Sequence, residues 1–280
     1  MMNQLKTVIL LGLLTTLLLF VGQLIGGYNG LVIAGIFAVI MNFGSYWFSD
    51  KIVLAMYRAK EVKESEAHKL YKIVRGVAEQ AKVPMPKVYI IPSEQANAMA
   101  TGRSKNHAAV AATEGILNLL NDDELKGVIA HEIGHIKNKD ILIATIAGTI
   151  AGVISYIATM AQWSAMFGGR DREGSSNIVS LLVLAIITPI IATIIQLAIS
   201  RSREFLADSS GAKIIGNGEH LAKALEKLHD DAGRHPMRLG NQATAHLFIS
   251  NPFRNAGLLN LLSTHPPMNI RVQKFRSMKF

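Results

Sequence analysis

The sequence of 280 residues contains no cysteine. This absence excludes disulfide bonds and every metal site that depends on thiolate ligands. A metal ion in this chain would therefore have to be held by histidine and carboxylate side chains. Aromatic residues are also scarce, at 6% of the sequence, and no basic stretch carries the interleaved aromatic residues that are typical of RNA-binding domains.

Charged residues are missing from four long stretches of the chain. Half of the sequence is hydrophobic, and this content is concentrated in uncharged runs that are each long enough to cross a bilayer. The runs cover residues 7–25, 31–48, 141–160 and 178–199. Because core helices of soluble proteins usually keep a polar face, we interpret all four runs as membrane spans. The first run could also be a cleaved secretory signal, although no convincing small-x-small site follows it.

The basic residues lie almost entirely on one side of the expected topology. Of the 29 Lys and Arg residues, 14 lie within 50–139 and 12 within 201–280, whereas the loop between the third and fourth runs carries only Arg170 and Arg172. Positive residues favour the cytoplasmic side of a membrane, so we expect residues 50–140 and 200–280 to be cytoplasmic. The same bias, together with attraction to anionic lipid, accounts for the net charge of +9, and we expect no nucleic-acid partner.

The two cytoplasmic segments contain short helical and strand patterns. In the first segment, apolar spacing and turn residues predict a helix, a strand and a hairpin over residues 61–81, 87–91 and 97–113. In the second segment, residues 213–230 have the clearest amphipathic pattern. Gly, Pro, Asn and His are frequent over residues 232–256, which predicts an irregular excursion.

The most specific motif is His131-Glu132-Ile133-Gly134-His135. On a helix, residues four apart lie one turn above the other, so both imidazoles can bind one zinc ion. A water on such a zinc has a pKa of about 7, and the adjacent Glu132 can take its proton as the water attacks a peptide carbonyl. A capping residue and an acidic first turn at 121–124, followed by helically spaced apolar residues, indicate that the motif does lie on a helix.

A catalytic zinc site needs a third protein ligand, and the S-R-E-F-L-A-D stretch at 202–208 offers one. Glu204 is the leading candidate, and Asp208, one turn later, could accept a hydrogen bond from a ligand imidazole. From spacing alone, a solvated helix surface with an acidic pair fits equally well. Topology favours the site, because a hairpin of the third and fourth runs would deliver both motifs to the same face of the membrane, within roughly 10 Å of it.

These motifs closely resemble those of the HtpX-type membrane zinc metalloproteases, which are bacterial heat-shock proteases related to the CAAX prenyl endoproteases. Further matches are Thr264-His265-Pro266-Pro267, Arg271 and the stretch 97–102, in which Met99 replaces the usual Phe of the family. The resemblance covers the whole chain. It implies an α+β protein that is mostly helical, with four transmembrane helices and a zincin-like cytoplasmic catalytic domain with a small sheet.

The resemblance also assigns residues to regions and roles. Transmembrane hairpins would occupy residues 7–48 and 141–199, and the two parts of the catalytic domain would occupy residues 50–140 and 200–280. One Zn²⁺ per chain would be bound by His131, His135 and Glu204, with Glu132 as the catalytic base. The edge strand that pairs with an extended substrate would run from Asn97 to Gly102, with Asn97, Ala98, Met99 and Ala100 as its substrate-binding residues.

Two residues near the end of the chain have less specific expected roles. His265 would stabilise the tetrahedral oxyanion, unless it is a structural residue before the Pro-Pro turn. Arg271 would contact the substrate region in support of His265, or would pair with a carboxylate.

We therefore expect a multi-pass zinc endopeptidase in the bacterial inner membrane, acting on misfolded or damaged membrane proteins and unfolded polypeptides at the cytoplasmic face. The lipid bilayer is its other expected partner. Two alternatives stay open. One is a metalloprotease that cuts inside the membrane, although charged residues bracket the motif. The other is a non-catalytic membrane scaffold or chaperone, although a structural zinc site would not need Glu132.

Overall fold

The computed structural model describes residues 2–152, 201–240, 242–252, 266 and 268–278. Most of these residues are helical, and four short strands form one sheet. The helices are α1 (Met2–Met56), α2 (His68–Ala81), α3 (Glu114–Leu119), α4 (Asp122–Asn138), α5 (Ile141–Gly152), α6 (Arg201–Ile215), α7 (Glu219–Ala232), a 3₁₀ helix (Gln242–Leu247) and α8 (Met268–Ser277). The strands are β1 (Lys60–Glu61), β2 (Lys87–Ile91), β3 (Ala98–Ser104) and β4 (His107–Thr113).

Helix α1 reverses direction at Gly27. This residue has φ 55° and ψ −138°, a conformation that a residue with a Cβ rarely adopts. The two halves lie side by side, since the Asn42 amide donates a hydrogen bond of 2.7 Å to the Thr15 hydroxyl. The first half also packs Leu10 and Leu14 against apolar residues of α5.

One helix among the described residues, Gly26–Met56, is long and apolar enough to cross a membrane, and only 11% of its most apolar stretch is buried. The apolar helices Thr7–Phe20 and Ile141–Gly152 are shorter. The run at 178–199 lies outside the described residues. The arrangement of four spans and the cytoplasmic orientation therefore stay predictions.

The sheet has the strand order β1-β2-β4-β3, with β2 and β4 parallel and the other pairs antiparallel. The predicted strand at 87–91 and the predicted hairpin are both confirmed. Alternate residues of a strand face opposite sides of the sheet. Ala98, Ala100 and Val110 face α2 and α4, whereas Met99 and Ala111 pack against the C-terminal end of α1. Strand β3 is left at one edge of the sheet, next to α4.

Two predicted helix boundaries were wrong. The helix predicted over 61–81 begins only at His68, because Lys60 and Glu61 pair with β2 as a short strand. The helix predicted over 213–230 is two helices, because the chain turns at Gly216 with φ 67°. The described part of the predicted irregular excursion includes the 3₁₀ helix.

Candidate metal centre

Helix α4 carries both histidines of the H-E-x-x-H motif. The Asn121 side chain accepts a hydrogen bond from the Glu124 backbone N–H, and the Glu124 carboxylate accepts one from the Asn121 backbone N–H, forming a capping box. The apolar face of the helix is fully buried and contains Leu125, Val128, Ile129, Ile133 and Ile136. Because burial fixes the rotation of the helix, His131 and Glu132 are held inside the protein at 1% and 2% exposure.

Two glycines let helix α6 approach α4 closely. A Cβ added to Gly211 would lie 2.8 Å from the backbone nitrogen of His131, and one added to Gly134 would lie 2.9 Å from the Ala207 carbonyl oxygen. No side chain fits at either position without displacing backbone. The close approach brings Glu204, in the first turn of α6, next to the two histidines of α4.

The donor atoms of His131, His135 and Glu204 converge on one point. The two Nε2 atoms are 3.1 Å apart, and the Glu204 carboxylate oxygens lie 3.9 Å from Nε2 of His131 and 3.7 Å from Nε2 of His135. A tetrahedral ion with donors about 2.0–2.1 Å away separates those donors by roughly 3.3 Å. The observed spacing therefore suits a metal ion of zinc size.

Each imidazole has a carboxylate beside its Nδ1, on the side away from this point. Nδ1 of His131 lies 2.8 Å from Asp208, and Nδ1 of His135 lies 3.2 Å from Asp140. With the proton on Nδ1, each Nε2 presents its lone pair to the shared point. Two lone pairs only 3.1 Å apart repel each other, and a cation between them removes that repulsion.

The role of Asp140 had not been predicted from the sequence. Lys139 ends α4 in the left-handed conformation, and the backbone N–H of Asp140 then donates to the His135 carbonyl. This turn carries the Asp140 side chain back to His135. The available signal was an acidic residue just past the end of the helix, five positions after the histidine.

Burial and the neighbouring carboxylates shift the pKa values of the two histidines in opposite directions. Burial lowers the pKa of His131, against the opposing effect of Asp208, so its imidazole is kept in the neutral form that a metal requires. Burial alone would also lower the pKa of His135, but Asp140 and Glu204 outweigh it and raise the pKa to about 10. A divalent cation would neutralise the charge that produces this rise.

Glu132 lies between the candidate metal ligands and the edge of the sheet. Its carboxylate has a backbone hydrogen bond with Ala100 of β3. Burial, followed by repulsion from Glu204, raises its pKa to about 7, and His135 partly opposes this effect. A carboxylate with such a pKa can both accept and return a proton near neutral pH.

Arg271 on α8 is 1% exposed and lies behind the centre. Its guanidinium donates to both oxygens of Asp208, at 2.9 and 2.7 Å, and to the Ile249 carbonyl oxygen at 3.1 Å. Pairing with a carboxylate, one of its two predicted roles, is what the structure shows, and a contact with the substrate stays a prediction. His265 lies outside the described residues.

The predicted substrate strand is an edge strand by topology, but its edge is occupied by the chain itself. The Ala98 carbonyl oxygen accepts a hydrogen bond from the Ile249 N–H at 3.1 Å, and the Gly102 N–H donates to the Thr145 hydroxyl at 3.2 Å. The Asn97 side chain, which is fully buried, donates to the Ser250 carbonyl oxygen at 2.7 Å rather than facing a free groove.

Residues 245–250, which we call the covering segment, close the cavity beside the metal-binding side chains. His246, Leu247, Phe248 and Ile249 line this cavity, whose volume is only about 40 Å³. The Phe248 ring packs edge-to-face on Tyr57 with centroids 4.8 Å apart, which fixes the segment to the end of α1. The covering segment therefore occupies the edge of β3 at which the substrate was predicted to pair.

Comparison with known proteins agrees with this geometry. The profile of Peptidase family M48 matches residues 64–279. The chain belongs to peptidase family M48. A protein named "Protease HtpX homolog" from Desulforapulum autotrophicum is 52% identical over 277 residues, covering 98% of this chain and 89% of that protein. A protein of the same name from Thermococcus kodakarensis is 52% identical over 274 residues, covering 97% and 94%.

A solved structure shares the fold of this M48 chain. The crystal structure of S. mikatae Ste24p matches with a TM-score of 0.50 at 18% identity, covering 98% of this chain. This chain spans 65% of the length of that protein. Family membership, the HtpX-named relatives and the apolar helix Gly26–Met56 together support a membrane metallopeptidase.

Proposed function

We propose that this M48 protein is a zinc-dependent endopeptidase of the bacterial inner membrane, which cleaves misfolded or damaged membrane proteins at the cytoplasmic face. The observation that carries the proposal is the convergence of His131, His135 and Glu204 next to a buried Glu132 whose pKa is raised to about 7. Three protein ligands with a neighbouring general base are typical of catalytic zinc sites, whereas structural sites use four ligands.

In this proposal each side chain has a defined task. His131, His135 and Glu204 would hold the zinc, which when bound supplies a water of lowered pKa and polarises the scissile carbonyl. Glu132 would accept the proton of the attacking water and return it to the leaving amine. Asp208 and Asp140 would keep both imidazoles in the orientation that points Nε2 at the metal.

Glu132→Gln is the direct test of the catalytic role. The amide keeps the size of the side chain but cannot accept a proton, so zinc content should stay at one per chain while cleavage of an unfolded, labelled polypeptide falls by about 10²–10⁴-fold. Glu79→Gln, on the exposed surface of α2, is the matched control. Cleavage by Glu132→Gln at the wild-type rate would contradict the proposal, as would wild-type activity that persists in a chelator and is unchanged by added Zn²⁺.

The absence of native cysteine gives a clean test of orientation. A single cysteine introduced as Lys72→Cys should react with a membrane-impermeant maleimide in inverted vesicles but not in intact spheroplasts. The opposite pattern would place residues 50–140 outside the cytoplasm.

The cleavage sites in a membrane-protein substrate separate the proposal from the intramembrane alternative. The mapped sites should fall outside the spans of the substrate, and cuts within a span would support the alternative.

A further inference from the structure

A second cavity lies between the C-terminal end of α1 and the sheet, away from the metal-binding side chains. Its volume is about 560 Å³, within the range of roughly 300–1,000 Å³ that is usual for ligand pockets. Three aromatic residues of α1 form one wall, and they are Phe43, Trp47 and Phe48. The other wall comes from β2, β3 and β4 and includes Lys87, Arg103 and His107.

The aromatic wall is exposed although it lies in the apolar helix. Phe43 is 59% exposed and Trp47 is 42% exposed, and their ring centroids are 6.0 Å apart. They lie near the end of Gly26–Met56, the helix that is long enough to cross a membrane. Aromatic residues concentrate at this depth, where the hydrocarbon meets the lipid headgroups. The cavity therefore opens at the level of the headgroups if α1 spans the bilayer.

Cations surround this aromatic wall. The Arg103 guanidinium lies over the Trp47 ring, 4.6 Å from its centroid, and the Lys51 ammonium lies 5.6 Å from the Phe48 centroid. Within the part of the chain that the structure describes, neither Lys51 nor Arg103 forms an ion pair with a carboxylate. Both cations are thus held beside the cavity by ring contacts and keep their hydrogen-bond donors available for an anion.

The charge of the lining favours an anionic ligand. Lys51, Lys87 and Arg103 carry full positive charges, against the single carboxylate of Asp50. Lys87 is partly neutralised by Glu61, which its ammonium reaches at 3.0 Å. Among the described residues, Lys51 and Arg103 are the lining cations without a carboxylate partner, and apolar rings lie beside them.

The geometry points to this cavity as a binding site for the headgroup of an anionic phospholipid, with the phosphate between Lys51 and Arg103. A lipid bound here would fill the space between α1 and the sheet. It would fix the distance between the sheet and the bilayer surface. The site shares no residue with the metal centre, and it is independent of the proposed peptidase activity.

The full chain can be tested in detergent by native mass spectrometry, with phosphatidylglycerol titrated against phosphatidylcholine. A basic residue near a membrane surface contributes about fivefold in affinity for anionic lipid, so K51Q/R103Q should lose roughly 25-fold in phosphatidylglycerol affinity. K63Q/K72Q removes two exposed lysines outside the cavity and should bind like wild type. Arg103→Lys keeps the charge and should retain most of the affinity.

Two outcomes would overturn the assignment. Equal phosphatidylglycerol affinity for K51Q/R103Q and K63Q/K72Q would show that the cavity is not the site. The second outcome concerns the wild-type protein. If millimolar inorganic phosphate competed for the site as strongly as phosphatidylglycerol does, the site would bind free phosphate rather than lipid. If K51Q/R103Q fails to fold, Lys51→Gln alone can be tested. The Lys51 side chain is exposed, and its one ring or ion-pair contact among the described residues is with Phe48, so its loss should not affect folding.

Discussion

Asp208 and Arg271 form a bidentate ion pair in which each side chain is 1% exposed. The same carboxylate lies 2.8 Å from His131, so one acidic residue joins α8 to a candidate metal ligand. Breaking a buried pair by removing one partner leaves an uncompensated charge and costs about 3–5 kcal/mol.

Asp208→Asn should therefore lower both the zinc affinity and the stability of the fold. The amide cannot balance the Arg271 charge and is a weaker acceptor for Nδ1 of His131, so we expect zinc affinity to fall by about 10–100-fold. Competition with a fluorescent chelator measures this loss. Asp122→Asn, at an exposed position of α4, is the control. Unchanged zinc affinity in Asp208→Asn would mean that the His131 contact does not support the metal.

Gly211→Ala should separate the two helices that form the centre. The new Cβ would lie 2.8 Å from the His131 backbone nitrogen, which real Cβ atoms essentially never do, so α6 must move away from α4. We expect zinc binding and thermal stability to fall together. Gly76→Ala in α2 meets nothing within 4 Å and should be neutral or stabilising by up to about 1 kcal/mol. A Gly211→Ala protein that binds zinc like Gly76→Ala would contradict the close packing.

Asn97→Ala should release the covering segment. The substitution removes the side-chain amide that donates to the Ser250 carbonyl and accepts from the Ser250 N–H. Leaving these buried backbone groups without partners should lower the stability by about 1–3 kcal/mol. Hydrogen exchange at the Ile249 amide, which donates to Ala98, should become faster by at least tenfold. If Asn97 instead contacts the substrate directly, KM should rise while exchange at Ile249 stays at the wild-type rate.

Glu124→Gln should weaken α4 in a pH-dependent manner. Burial would raise the pKa of Glu124, but hydrogen bonds from Lys227 and from the Asn121 backbone outweigh it, so the folded-state pKa is lowered from 4.5. The carboxylate therefore stabilises the fold above pH 4.5, and this contribution is lost as the pH falls through the lower folded-state pKa. Thermal unfolding should show a deficit of about 1 kcal/mol for the variant at pH 7 that shrinks toward pH 3. A deficit independent of pH would show that charge is not its source.

Features set by neighbouring residues in the chain could be predicted from the sequence, whereas contacts between distant segments could not. The spacing of His131 and His135 and the cap at Asn121 are set within a few residues, so the motif could be placed on a helix. Glu204 could be assigned as a third ligand only through topology and resemblance. Its position next to α4 depends on Gly134 and Gly211, whose role is visible only when both helices are packed.

The position of the covering segment could not be predicted from the sequence. Its residues have no regular apolar period, and they were predicted to be irregular. Their placement is set by contacts with partners far away in the chain, such as Ser250 with Asn97 and Phe248 with Tyr57. The resemblance implied that β3 lies at an edge of the sheet, but the occupation of that edge could not be predicted.

The close packing of α4 against α6 also sets when the metal centre can exist during synthesis. His131 and His135 are translated well before Glu204, and at roughly 5–20 residues per second the third ligand follows several seconds later. In that interval the nascent chain has only two of its three metal donors, and Gly134 has no Ala207 to pack against. Under the proposed function, a polypeptide arrested before α6 would lack Glu204 and would therefore have no peptidase activity until the chain is completed.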